Sequence, residues 1–331
     1  MRTALIGIDI GTSSTKGVLV DPDGTVLRQH AQPHTVSRPH PGWAEQDALD
    51  VWWADVVDIC HALADEPDTE IMGVGITGLG PCMLPLDAQN RPLRPAILYA
   101  VDTRAMTQVE EVNQRYGEEL VSRCGHVATS QSVGPKILWL AEHEPDVFAR
   151  TARVVSSTGF VVERLTGAYV VDHLTASMFD PFYDLHEGAW IREWAEPLIG
   201  HIELPELCWP GDVIGQVSAS AAAETGLPAG VPVVCGTMDF WAENVSVGAD
   251  APGDCMLAYG TTMSVSAVVD RPAIDPMLGT APASGPGAYH VGGATAAAGA
   301  LTDWTRQLTA QAGFEQLLEL AAQVAPGADG V

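Results

Sequence analysis

The chain has 331 residues, 47% of them hydrophobic and 18% charged, a composition that predicts a folded globular protein of about two domains. Its 16 Lys and Arg stand against 42 Asp and Glu, a formal charge of -26, which disfavours nucleic acid and membrane surfaces as partners. A nucleotide bound to so acidic a protein needs local neutralisation, by a metal ion and by backbone N–H groups.

The pattern predicts strands over Ala4 to Ile10, Thr15 to Val20 and Thr25 to Gln29, the last two joined by the turn Asp21-Pro22-Asp23-Gly24. Asp47 is placed to cap a helix whose apolar face is Trp52, Val56, Ile59, Cys60 and Leu63. Met72 to Ile76 reads as a strand that breaks at Thr77-Gly78-Leu79-Gly80-Pro81. Further helices are expected over Gln108 to Gly117, Ile137 to Ala141, Gly159 to Leu165 and Trp190 to Ile199. Val231 to Cys235 reads as a buried strand leading into a helix from Asp239 to Val247. Pro252-Gly253-Asp254 then marks a domain boundary, Pro282 to Gly287 a flexible loop, and Phe314 to Val324 a last helix. Strands in hairpins, then alternating with helices, indicate a mixed sheet in an α/β domain.

The six cysteines (Cys60, Cys82, Cys124, Cys208, Cys235, Cys255) form no C-x-x-C pair, so reduced thiols in a cytoplasmic protein are expected rather than a disulfide framework. No signal-peptide pattern follows Met1. No apolar run reaches the roughly 18 residues that span a bilayer.

One pattern occurs twice. "DIGTSSTKGVLV" (Asp9 to Val20) is echoed by "AYGTTMSVSAVV" (Ala258 to Val269), pairing Gly11 with Gly260, Thr12 with Thr261 and Ser13 with Thr262. Gly11 and Gly260 permit positive φ and close backbone approach, and the hydroxyls and N–H groups after them can cradle phosphate oxygens. Neither loop is a Walker A motif, so Lys16 does not inherit that motif's lysine role. Two such loops at domain-scale separation suggest two related domains facing one ligand. Too few residues follow Gly260 for a second domain the size of the first, so the chain is expected to stop inside it.

Asp9 closes a buried strand at the mouth of the first loop. A carboxylate there needs a partner, and a hydrated Mg²⁺ beside phosphates would be one; a capped turn residue is the plainer alternative. Asp239 falls in the first turn of a helix, where the dipole should keep its pKa low, and it is either a simple N-terminal acid or a base positioned for phosphoryl transfer. Asp102 and Arg104 either fork around a polyol hydroxyl or form a salt bridge. Trp52 and Trp53 are expected in the core, and Trp43 either packs or stacks on a sugar face.

Taken together these residues resemble the FGGY family of carbohydrate kinases. The resemblance rests on "IGIDIGTSSTKGVLVD", "PGWAEQD", "GVGITG", "RPLRPAILYAVDTR", "VVCGTMDFWAENVSVGA", "PGDCMLAYGTTMSV" and "PGADG", in that order. It implies a ribonuclease H-like fold of the actin/hexokinase/sugar kinase superfamily. Residues 1–250 would form the sugar-binding domain and 251–331 an incomplete nucleotide-binding domain. It further implies ATP and Mg²⁺, with Asp9 as metal partner, Gly11, Thr12 and Ser13 as one phosphate loop, Gly260, Thr261 and Thr262 as the other, and Asp239 as catalytic base. Gly80, Pro81 and Cys82 stand where xylulokinase-like members carry Met-His-Gly and glycerol kinases Arg-Glu. Gly80 and Pro81, with Asp102 and Arg104, are therefore the candidate sugar-side residues, and the sugar is left open.

The expected reaction is transfer of the ATP γ-phosphate to a hydroxyl of a ketose, polyol or sugar acid, with a homodimer allowed. A non-catalytic sugar-binding module is the alternative, and a chaperone-like ATPase a more distant one. Lacking the family's adenosine-binding segment, this chain is expected to bind ATP weakly, to show little activity and to expose apolar surface.

Overall fold

A computed structural model describes residues 2–260, 263–275, 277–295, 298–309 and 313–328. Strands β1 (Arg2–Ile10), β2 (Ser14–Val20) and β3 (Val26–Pro33) form an antiparallel meander. On its other edge β1 pairs in parallel with the strand Thr69–Gly78. That strand in turn takes two short parallel neighbours, Pro232–Val234 and, nearer its C-terminal end, Thr237–Met238. The antiparallel strand Val213–Gln216 closes this mixed, seven-stranded sheet.

Alternation along β1 decides which face does what. Ala4, Ile6, Ile8 and Ile10 are all buried on one face, against helix α1 (Ala54–Ala64). Val56, Ile59, Cys60 and Leu63 of that helix are fully buried, as their helical spacing predicts. The helix lies so close that a Cβ at Gly17 would collide with Ile59. Asp9, one residue out of phase with the isoleucines, therefore projects from the opposite face. Asp47 caps the turn leading into α1, its carboxylate accepting from the N–H groups of Leu49 and Asp50, both at 2.8 Å.

Three predicted helices recur with longer bounds, whereas the elements expected over Val231 to Cys235, Asp239 to Val247 and Phe314 to Val324 are shorter, at Pro232–Val234, Asp239–Ser246 and Phe314–Ala321. Gln108 to Gly117 lies within the helix Met106–Cys124, which breaks at Gly117. Ile137 to Ala141 lies within Val133–His143, and Gly159 to Leu165 within Ser157–Thr166. The helix expected from Trp190 begins only at Arg192, because Trp190 is paired with Tyr183 in a two-stranded ribbon. Pro282 to Gly287 is no free loop: Pro282 ends the strand Gly279–Pro282, and Ala283 is buried.

Every strand of the seven-stranded sheet precedes Pro252. After it comes a four-stranded antiparallel sheet, in the order Cys255–Tyr259, Met263–Val269, Tyr289–Thr295, Gly279–Pro282. Leu174, Met238 and Trp241 pack against Val268, Ala281 and Ala283, joining the two parts. The second part exposes much apolar surface, with Leu257, Tyr259, Trp304 and Leu318 each more than half exposed. Among the described residues no helix is long and apolar enough to cross a membrane.

Candidate functional site: two carboxylates at the strand ends

Three parallel strands, β1, Thr69–Gly78 and Thr237–Met238, end side by side, with Asp9 and Thr237 both in register with Thr77. The carboxyl ends of parallel strands are where open α/β sheets bind ligands, because the chain turns away and leaves a crevice. Asp9 closes one flank of this crevice, and Asp239 opens the helix Asp239–Ser246 on the other. With one strand between them their backbones stand roughly 10 Å apart, room for a hydrated ion or a phosphate rather than for direct contact.

Burial pushes the Asp9 carboxyl above the usual carboxylate value, and Lys16, directly opposite across β1 and β2, pulls it part of the way back. Asp9 Oδ1 is buried and has no hydrogen-bond partner among the described residues. An orphaned, partly desolvated carboxylate oxygen next to a hydroxyl-rich loop fits a metal-bound water shell, so Asp9 is a fitting partner for Mg²⁺.

Asp239 departs from expectation. Its pKa is not held low; burial, the largest influence, and repulsion from Asp9 raise it to about 6 against the hydrogen bond from the Phe240 N–H. Desolvation at the crevice floor outweighs the helix dipole. The segment before it is clamped. Thr77 and Thr158 hydroxyls donate to the Thr237 carbonyl at 3.0 and 3.2 Å, and the Thr237 hydroxyl donates to Asp172 at 2.9 Å. Gly236 makes the turn with φ of +74°, and a Cβ there would collide with the Ile76 carbonyl.

The three carbonyls of the first loop all turn back into the protein. Gly11 O accepts from His34 Nε2 at 2.9 Å, Thr12 O from Gln46 Nε2 at 3.0 Å, and Ser13 O from the His34 N–H at 2.9 Å. In a trans peptide the next N–H points opposite to the carbonyl, so the N–H groups of Thr12, Ser13 and Ser14 face outward. Those of Thr12 and Ser13 donate to no atom of the described residues. Gly11 is needed for close approach rather than for its φ: it is not among the positive-φ glycines, and an added Cβ would lie 2.8 Å from Ser14 O.

Gly260 follows the strand Cys255–Tyr259 as Gly11 follows β1, but the registers differ: the first hairpin closes on Ile10 and Thr15, the second on Tyr259 and Met263. Gly260 is exposed and its carbonyl accepts from Gly299 N–H at 2.8 Å. Thr261 and Thr262 lie outside the described residues.

The sugar-side candidates divide. Gly80, Pro81 and Cys82 are buried, and a Cβ at Gly80 would rest 3.6 Å from the Tyr99 ring. Tyr99 shares a 3.0 Å hydrogen bond with the Thr12 hydroxyl, linking this wall to the phosphate loop. Asp102 and Arg104, by contrast, are turned inward. Arg104 grips Asp102 at 2.7 Å and Glu45 at 2.8 Å, and stacks 3.8 Å from the Trp43 ring centroid. The Asp102 carboxylate also accepts from the Ala44 N–H, and the two side chains are 0% and 1% exposed. Neither is available to a sugar. The salt bridge wins because burying one charge alone would be costly, whereas the pair with Glu45 is satisfied. Arg94 extends this network to Glu45 and Glu144.

Two features had no sequence signal. Cys208 and Cys235 are joined in a disulfide, correcting the expectation of six free thiols. His34 and Asp55 form a buried pair behind the first loop. Such proximity arises only when distant strands are brought together.

The comparisons with known proteins agree with this geometry. The N-terminal domain of the FGGY family of carbohydrate kinases matches residues 4–246. The chain belongs to the FGGY family of carbohydrate kinases. This FGGY chain is 30% identical to the xylulose kinase of Escherichia coli K12 over 338 residues, which cover 98% of the chain and 67% of that relative. It superposes on the crystal structure of xylulose kinase from Rhodospirillum rubrum with a TM-score of 0.91 and 35% identity, covering 99% of the chain and 68% of that structure. The gluconate kinase of Lactobacillus acidophilus shares the fold, with a TM-score of 0.90 at 24% identity. The fold is therefore that of the actin/hexokinase-like sugar kinases. The FGGY chain spans about two thirds of the length of the curated relatives it matches.

Proposed function

We propose that the protein is an ATP- and Mg²⁺-dependent sugar kinase that phosphorylates a hydroxyl of a ketose, polyol or sugar acid, with Asp239 as the base. The observation that supports this is the pair of carboxylates on either side of the crevice, Asp9 orphaned and Asp239 raised to about 6, with the unbonded N–H groups of Thr12 and Ser13 in the loop that follows the Asp9 strand. ATP supplies the transferred phosphoryl group, and Mg²⁺ neutralises charge as it moves.

The chain's own residues do the rest. The N–H groups of Thr12 and Ser13 would receive phosphate oxygens beside Gly11, whose own N–H is bonded to Ser14 O, and Asp9 would hold the water shell of the metal. Gly260, Thr261 and Thr262 are assigned to the second phosphate site by the family resemblance. Asp239 orients the substrate hydroxyl by accepting its hydrogen bond. It takes the proton as the sugar oxygen bonds to the γ-phosphorus and the bond from that phosphorus to the β-phosphate oxygen breaks, its electrons leaving with ADP. A pKa near 6 leaves Asp239 ionised at neutral pH yet more basic than an ordinary carboxylate, which suits a late proton transfer. Gly80 and Pro81 line the sugar side together with the Tyr99 ring, whereas Asp102 and Arg104 support that wall from behind.

The test is ADP release by the whole protein over a panel of ketoses, polyols and sugar acids. Sugar-dependent release is expected, and release that ignores every sugar would exclude the assignment.

A further inference from the structure

The buried pair behind the first phosphate loop has no part in the reaction as derived so far. His34 follows β3 directly, and its side chain enters the space between β2 and α1. Nδ1 lies 2.6 Å from Asp55 Oδ2 and Nε2 lies 2.9 Å from Gly11 O, with the two side chains 6% and 9% exposed. Asp55 Oδ2 also accepts from the Thr15 hydroxyl at 2.9 Å. A carbonyl only accepts, so Nε2 carries a hydrogen and donates it to Gly11 O, while Nδ1 shares its hydrogen bond with Asp55.

Of the three tethers that turn the loop carbonyls inward, two come from His34: its backbone N–H holds Ser13 O and its ring holds Gly11 O. The second sets the direction of the Thr12 N–H, because Gly11 C=O and Thr12 N–H belong to one planar peptide. Gly11 has no side chain to resist rotation of that peptide, and the ring supplies the restraint instead. Gln46 holds Thr12 O, and Trp52 Nε1 holds Gln46 at 2.8 Å. The next peptide is thus fixed independently of His34.

We propose that His34 is a positioning residue for nucleotide phosphate, oriented by Asp55 and Thr15, which keeps the Gly11–Thr12 peptide turned so that the Thr12 N–H faces the bound anion. The inference rests on reading the crevice as an ATP site. It predicts a selective effect, since His34 acts on the phosphate loop and Asp239 approaches the sugar from the opposite flank.

The experiment measures steady-state ADP release by the whole protein for His34→Phe, which keeps the ring volume and removes both ring nitrogens, and for Asp55→Asn, a milder change if the first fails to fold. In His34→Phe the KM for ATP is expected to rise about tenfold, the equivalent of one lost hydrogen bond of about 1.4 kcal/mol, with the KM for sugar within twofold. Asp55→Asn is expected to give a smaller rise of the same selectivity. An unchanged KM for ATP in either folded variant, or equal rises for both substrates, overturns the proposal. Proton–nitrogen NMR of the wild type should show a hydrogen on Nε2 of His34 protected by its bond to Gly11 O, and an Nε2 without a hydrogen would also overturn it. If the wild type itself shows no sugar-dependent ADP release, the kinase reading fails first and the positioning role fails with it.

Discussion

Replacing Asp239 with asparagine should stabilise the metal-free protein, although it removes the proposed base. Burial and the neighbouring Asp9 carboxylate raise the Asp239 pKa from an ordinary 3.8 to about 6, so ionising it in the folded state costs about 3 kcal/mol. The folded protein binds this proton more tightly than the unfolded chain does. The stability contribution is therefore full below pH 3.8, falls as pH rises from about 4 to about 6, and is lost above that. Asparagine keeps the shape and the acceptor for Phe240 N–H without the charge. In EDTA, urea unfolding of Asp239→Asn should exceed wild type by up to about 3 kcal/mol at pH 8, with the difference fading toward pH 4. Added Mg²⁺ should narrow the gap at pH 8. A variant no more stable than wild type at pH 8, or a gap independent of pH, would refute the electrostatic account of the crevice.

Other expectations concern the loop, the inward ion pair and the disulfide. Gly11→Ala places a Cβ 2.8 Å from Ser14 O, so the loop must shift; ADP-release assays should show a rise of about tenfold or more in the KM for ATP, and an unchanged value would count against the cradle. Arg104→Ala strands the buried Asp102 carboxylate and should lower urea stability by about 3–5 kcal/mol, far more than an exposed pair would. Titration of the unfolded, unreduced protein with a thiol reagent should find four thiols, those of Cys60, Cys82, Cys124 and Cys255; six would exclude the Cys208–Cys235 bond.

Local physics was legible in the sequence. The period of the α1 face, the Asp47 cap and the alternation of β1 each report a neighbour within a few residues, and each is found in the structure. The repeated Gly-Thr pattern was legible for the same reason, and each glycine follows directly on a strand of an antiparallel hairpin. Quantities set by tertiary surroundings were not. The Asp239 pKa was read from its helix position alone, yet it depends on burial and on Asp9, two strands away. The Asp102–Arg104 salt bridge was one of two readings, but its further partners Glu45 and Trp43, which reach it from a distant loop, were not legible. His34 gave no sign because its partners Gly11 and Asp55 lie 23 and 21 residues away in the chain.

The central claim is that Asp239 is the base of a sugar-dependent phosphoryl transfer, and it is tested most directly by ADP release from the whole protein, wild type against Asp239→Asn. The account predicts release that depends on a ketose, polyol or sugar acid and falls at least a hundredfold in the variant, the usual share of a general base, with the fold intact. Undiminished turnover in Asp239→Asn would contradict it.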